Sequence, residues 1–180
     1  MRFKIKLLEE PGILHLVKPC ICLVSFLLTF GFASAGELPN PQLTPGATDP
    51  NVTQGNIRNT ICVKGFTKKI RPPAYYTNAL KKKQIRQYGY TDKDPKHYEE
   101  DHLIPLEVGG NPTDKANLWP EPRYGRWSAA KKDRLENKLH ELVCHGALNL
   151  GEAQQEIRSN WIAAYMRYMT PTKHRAKIGG

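Results

Sequence analysis

The chain lacks an apolar run long enough to cross a membrane as a helix. Ile21 to Phe32 is uncharged and apolar, but its twelve residues fall short of the roughly 20 a spanning helix needs, and Lys18 blocks extension. There is no Cys-x-x-Cys knuckle, no glycine-rich phosphate loop and no internal repeat. No base-reading element is visible either, neither a recognition helix with an Asn/Arg pattern nor a zinc finger. Acidic residues are scarce beside basic ones, 17 against 27 among 180 residues, which gives a formal charge of +10. Such a balance favours polyanions such as nucleic acid or an anionic envelope surface, with ordinary solubility as the plainer account.

What the N-terminus does have is a basic leader (Arg2, Lys4, Lys6, Lys18), the short apolar core, and then Ala33-Ser34-Ala35. That order is the pattern of a cleaved export signal over residues 1–35, so the mature chain is expected to begin near Gly36. A membrane anchor is the competing reading. Export to the periplasm or the medium, with no stable membrane anchor after cleavage, is the expectation. The leader holds four basic and two acidic residues, so +8 of the +10 stays with the mature protein. The remaining 145 residues suffice for one domain with one core.

Cysteine is scarce as well. Cys20 and Cys22 lie in the leader, which leaves Cys62 and Cys144. An even pair in an exported protein reads as a disulfide, with two buried free thiols as the alternative. The bridge would close a loop of about 80 residues, for which chain-entropy estimates give on the order of 4 kcal/mol.

Residues 36–58 are rich in Pro, Asn, Thr and Gly with no apolar period, and read as a flexible segment ahead of a domain at 59–170. Thr60 to Val63 is a short β-prone run. Tyr76 to Tyr88 reads as a helix with Thr77 as N-cap, Leu80, Ile85 and Tyr88 inward, and Lys81, Lys82, Lys83 and Arg86 outward. That outer face is a solvated surface or a phosphate-tracking one. Tyr98 to Leu106 is expected as a strand, and Gly109-Gly110-Asn111-Pro112 as a tight loop. Asn117-Leu118-Trp119 reads as a second strand, broken by Pro120 and Pro122. Ser128 to Cys144 has Leu135, Leu139, Leu142 and Val143 on one helical stripe, with Gly146 as its C-terminal stop. A further helix runs from about Gly151 to Met169, and residues 171–180 form a basic tail read as disordered.

One segment carries chemistry. Asp101-His102-Leu103-Ile104-Pro105-Leu106-Glu107-Val108-Gly109-Gly110 is followed by Asn117-Leu118-Trp119-Pro120, and then by a helix. Imidazole near its unperturbed pKa is a suitable base for activating water at physiological pH, and one divalent cation can cover phosphate charge and leaving group together. Adjacent strand residues point to opposite faces, so Asp101 and His102 share a cleft only if the strand end bends. A structural hairpin, with Asp101 capping a turn and His102 on Trp119, is the alternative.

This ordered set resembles the HNH endonuclease family, of the small exported bacterial type. Thr60-Ile61-Cys62, Ile70-Arg71-Pro72-Pro73, Lys132-Asp133-Arg134-Leu135-Glu136, Leu142-Val143-Cys144 and Ala153-Gln154 with Trp161 extend the likeness over roughly residues 58 to 168. The resemblance implies an α+β fold with a ββα-metal core, an additional C-terminal helix and an N-terminal helical segment. It implies His102 as general base, Asp101 as ligand of one divalent ion (Mg²⁺, with Mn²⁺ or Zn²⁺ as alternatives), and Asn117 bonding loop backbone to hold the histidine strand. The family draws its last metal ligand from the first turns of the helix. On the helical stripe Ser128 faces inward, Lys131 and Lys132 border it, and Asp133, Glu136, Asn137 and His140 fall on the opposite, solvated side. Ser128 is therefore the expected second ligand. Arg123, Arg126, Lys131 and Lys132 are the expected phosphate grip, and Tyr124 and Trp127 either stack on bases or belong to the core. The expected function is metal-dependent hydrolysis of DNA or RNA with little sequence preference. The alternative is a non-catalytic nucleic-acid or polyanion-binding module on a decayed scaffold.

Overall fold

A computed structural model describes residues 36–170; the expected signal peptide and the basic tail lie outside the described residues. Among the described residues, four α-helices and one antiparallel pair of strands make an α+β arrangement: α1 (Phe66–Ile70), α2 (Ala74–Gln87), β1 (Tyr98–His102), β2 (Leu118–Pro122), α3 (Ala129–Cys144) and α4 (Leu150–Met169).

The main core lies where α3 meets α4. Leu135, Leu139 and Val143 repeat at helical spacing along α3 and pack with Ala153, Ile157, Trp161 and Ala164 of α4. Ile104 and Val108 join them from the loop after β1. Leu142, counted in the same stripe from sequence, is only partly buried. Glycine ends α3 by adopting a left-handed conformation: Gly146 (φ 74°) donates to Val143 O, and Ala147 N reaches Leu142 O. Helix α4 breaks its regular path at Asn160, whose Oδ1 accepts from Ala163 N and so caps the second half.

Helix α2 covers the strand pair through a smaller cluster of Ile85, Tyr90 and Tyr98. Gln84 Nε2 donates to Leu118 O at 2.8 Å, and Lys81 Nζ to Tyr98 O at 3.2 Å. The helix starts at Ala74 behind Pro73, whose fixed φ of −67° suits that entry, so Thr77 sits within the first turns and not at the cap.

Further sequence expectations change, among them the strand expected over Tyr98 to Leu106, which ends at His102 and gives way to a helical turn at Leu106–Val108, and Asn117, which closes a helical turn just before β2. Thr60 to Val63 forms turns, not a strand, since Cys62 N bonds back to Ile57 O and Val63 N to Thr60 O. The run continues into the Cys62–Cys144 disulfide, which fastens it to the last residue of α3. Strand β2 runs through Pro120 and Pro122. Leu103 N to Asn117 O and Arg123 N to His97 O place the ladder bonds on odd-numbered residues, and the prolines, opposite Glu100 and Tyr98, fall between them. Residues 36–58, read as flexible, pack as a strap along the inter-strand loop. Gly46 N bonds Ala116 O, Asp49 N bonds Gly109 O, and Asn111 N bonds Ala47 O, at 2.8 to 2.9 Å. Val52 and Ile57 are buried in the main core. The segment orders because its backbone groups find partners there, a pairing that periodicity does not report.

The Gly109-Gly110 turn is sterically closed. A Cβ on Gly110 would lie 1.7 Å from Ile104 O, and one on Gly109 (φ 77°) 2.8 Å from Val52 Cγ1. Gly151, in the first turn of α4, has nothing within 4 Å of a Cβ. Gly110→Ala is therefore expected to destabilise by about 3 kcal/mol or more. Gly151→Ala should stabilise by up to about 1 kcal/mol. Thermal melting of the two variants beside the parent chain checks both directions.

Candidate active site

Strand β1 delivers Asp101 and His102 to its C-terminal end, and strand alternation sends the two side chains in different directions. His102 is 3% exposed, and its Nε2 lies 3.0 Å from Pro112 O. A carbonyl only accepts, so Nε2 carries the proton and Nδ1 keeps the lone pair in the neutral ring. Burial lowers the proton affinity of His102 below the ordinary histidine value. The charges of Lys132 and Arg71 add to that, while Asp101 and the Pro112 bond work against it.

The loop that follows is held by Asn117, which is fully buried. Its Oδ1 accepts from Ile104 N at 2.9 Å, and its Nδ2 donates to Ile104 O at 2.9 Å and Asn111 O at 3.0 Å. One amide thus satisfies both backbone groups of Ile104, two residues beyond the histidine.

Asp101 is engaged by a side chain from α3. Lys132 is 0% exposed, and its Nζ reaches Asp101 Oδ2 at 2.5 Å, His102 O at 2.7 Å and Glu136 Oε1. An ammonium has three N–H groups, and all three are committed. Burial alone would strip the proton from Lys132, but Asp101, Glu136 and Glu121 hold it well above the ordinary lysine value. Burial likewise pushes Asp101 up, and the Lys132 charge overrides it and keeps the carboxyl below its usual range. Glu136 is raised to about 8 by burial, against the opposing pull of Lys132. Glu121 is also fully buried, with no donor to either oxygen. Burial raises it well above the usual range, against the pull of Lys132 and with the Asp101 charge adding to the rise. Burial beside Asp101 thus favours the protonated form of Glu121.

These contacts correct the sequence reading at several positions. Lys132, expected to grip phosphate, has no free N–H for one. Glu136, assigned to the solvated side of α3, has a side chain only 12% exposed. His140, placed on the same side, is half-buried with Nε2 3.0 Å from Ile61 O. Ser128 is the N-cap of α3; its carbonyl accepts from Lys131 N and Lys132 N, and its side chain makes no capping bond. The divalent ion expected on Asp101 and Ser128 does not fit these residues, because the positive charge beside Asp101 is already supplied by Lys132. Neither Glu121 nor Lys132 was singled out for this role from sequence, and the only hint was the Lys132/Glu136 spacing of four.

The other expected phosphate contacts lie outside this nest. Arg123 pairs with Glu99 at 2.8 Å and donates through Nε to Tyr98 O at 3.2 Å. Arg126 and Lys131 approach the Trp127 ring at 5.5 and 4.8 Å from its centroid. Trp127 itself stands edge-on to Trp161 and Tyr165. Tyr124 is exposed, with His97 at its edge. Asp133 and Asn137 line a polar cleft of ≈ 280 Å³ with Thr67, Arg71, Leu106, Glu107 and Glu136. Separately, the ligand atoms of Cys62, His140 and Cys144 lie within 4.8 Å of one another, a spacing that could hold a metal ion. The two sulfurs are joined as a disulfide, which removes the thiolates such a site needs.

Glu100 gives the site a measurable pH signature. Both its oxygens are buried with no donor, and burial raises it to about 8, against the pull of Lys81. An acid whose folded pKa is raised contributes stability below the unfolded value that is lost as pH climbs through the folded one. Glu100→Gln should therefore gain in melting temperature relative to the parent chain between pH 4.5 and 8. A difference that stays flat over that window would contradict the burial argument. Comparison with known protein families, with curated proteins and with solved structures finds no match, so the likeness to the HNH family rests on the motif residues themselves.

Proposed function

We propose that the chain is an exported phosphodiester hydrolase of the HNH type, acting on DNA or RNA with little sequence preference and with His102 as general base. The observation that carries this reading is the bond of His102 Nε2 to Pro112 O, which sets the tautomer and leaves the Nδ1 lone pair to accept a proton, while burial lowers the proton affinity of the ring. Water activation at neutral pH needs a base that is unprotonated there, and burial favours that form. Asn117 pins the loop next to the base, and Asp101 steadies whatever positive charge the ring gains. Arg126 and Lys131 supply positive charge at the start of α3, where phosphates flanking the scissile bond would be held. The strand pair followed by α3 fits a ββα unit, while the metal ligation that usually accompanies one is left out of the proposal at Asp101.

A second reading is favoured by a specific observation, the Lys132–Asp101 pair. A carboxylate whose charge is already compensated by a buried ammonium has little left to attract a catalytic cation. The protein would then be a non-catalytic polyanion-binding module on the same scaffold, with its excess of basic residues providing the affinity.

Incubating the mature protein with plasmid and with RNA, with and without Mg²⁺ or Mn²⁺, separates the two. Hydrolysis is expected, reduced about 100-fold or more by His102→Ala. Cleavage that survives this substitution removes His102 as base. Binding that weakens steeply with salt and gives no cut product selects the second reading.

A further inference from the structure

Three carboxyls from three elements converge beside one buried ammonium: Asp101 from β1, Glu121 from β2 and Glu136 from α3. We propose that the Lys132 ammonium is the resident cation of this three-carboxylate nest, and that the nest takes up no divalent ion while Lys132 is in place.

Oxygen donors from several carboxyls, taken out of water, are what a hard divalent cation selects. Glu121 makes the resemblance to such a site close, because it is fully buried and no donor reaches either oxygen. Yet the nest is not short of a cation. Lys132 Nζ bonds Asp101 and Glu136 and spends its third N–H on His102 O. An incoming metal would have to evict that ammonium from a position with no exposure, leaving it either without partners or forced out past the core.

The backbone bond to His102 gives the ammonium a positioning role as well. It ties the last residue of β1 to the second turn of α3, so the histidine and the helix are set by the same group. The inference concerns the charge inside the nest and does not rest on the hydrolase reading.

The test uses the whole mature protein and reads metal binding and stability, not cleavage, so its failure and failure of the hydrolase reading are distinguishable. Mn²⁺ titration of the parent chain and of Asp101→Asn, followed by the resonance of the free ion, is expected to give no difference between them. Chelator should leave the parent melting temperature unchanged. Lys132→Ala should melt lower, and either Mn²⁺ or methylammonium should restore it, with restoration lost in Lys132→Ala/Asp101→Asn. Saturable Mn²⁺ uptake by the parent chain that disappears in Asp101→Asn would overturn the proposal. So would a folded Lys132→Ala that neither ion restores. Should Lys132→Ala not fold, the comparison of the parent chain with Asp101→Asn decides alone.

Discussion

An ammonium carried wholly out of water is among the more costly groups a small domain can hold, and α3 holds one against the end of β1. Lys132 is tolerated there because each of its N–H groups meets an oxygen and because Asp101 carries the compensating charge. Removing one partner from such a pair costs on the order of 3–5 kcal/mol, since the other charge is left buried alone. The contact therefore fixes the distance between the helix and the strand pair, and most of the site follows from it. Burial first, and then the Asp101 charge, push Glu121 toward its protonated form. Glu136, one helical turn beyond Lys132, is drawn inward instead of facing solvent. His102 is held at both ends, by its own carbonyl on Lys132 and by its ring on Pro112.

On the other side of the histidine the constraint is a backbone one. Gly110 passes so near Ile104 O that no side chain fits, and this approach lets the Asn117 amide bond Ile104 and Asn111 together. The strap over residues 36–58 then closes the same loop from outside through Gly109, Asn111 and Ala116. Two independent devices, one electrostatic and one steric, thus meet at a five-residue strand. That convergence accounts for a two-stranded sheet persisting where an isolated pair would be marginal.

Much of this frame was legible in the sequence. The apolar stripe of α3, the glycine after its end and the stacking of turn formers at 109–112 each follow from local chemistry, and each is found. The proline pair in β2 suggests a strand break by composition alone, but a two-stranded ladder leaves every second N–H unused, and the register puts both prolines at those positions. The strap was illegible for another reason. Its order comes from backbone partners distant in sequence, and its two buried residues, Val52 and Ile57, are too few to show a period. The inward turn of Lys132 lies between these cases. A wheel at 100° per residue puts it at the border of the stripe, and a long side chain at a border can go either way. Only the presence of Asp101, thirty-one positions earlier, decides the direction.

The same point bears on how an Asp-His pair should be read. Adjacent on a strand, the two side chains diverge, and a common catalytic task requires a third party between them. A divalent ion is one such party. Here Lys132 stands in that relation, bonded to the carboxylate of Asp101 and to the backbone, not the ring, of His102. Asp101 therefore acts on His102 through charge alone, raising a proton affinity that burial lowers. The two opposing effects leave a histidine whose neutral form is favoured without being fixed, which is the condition a base must meet to take a proton and give it back.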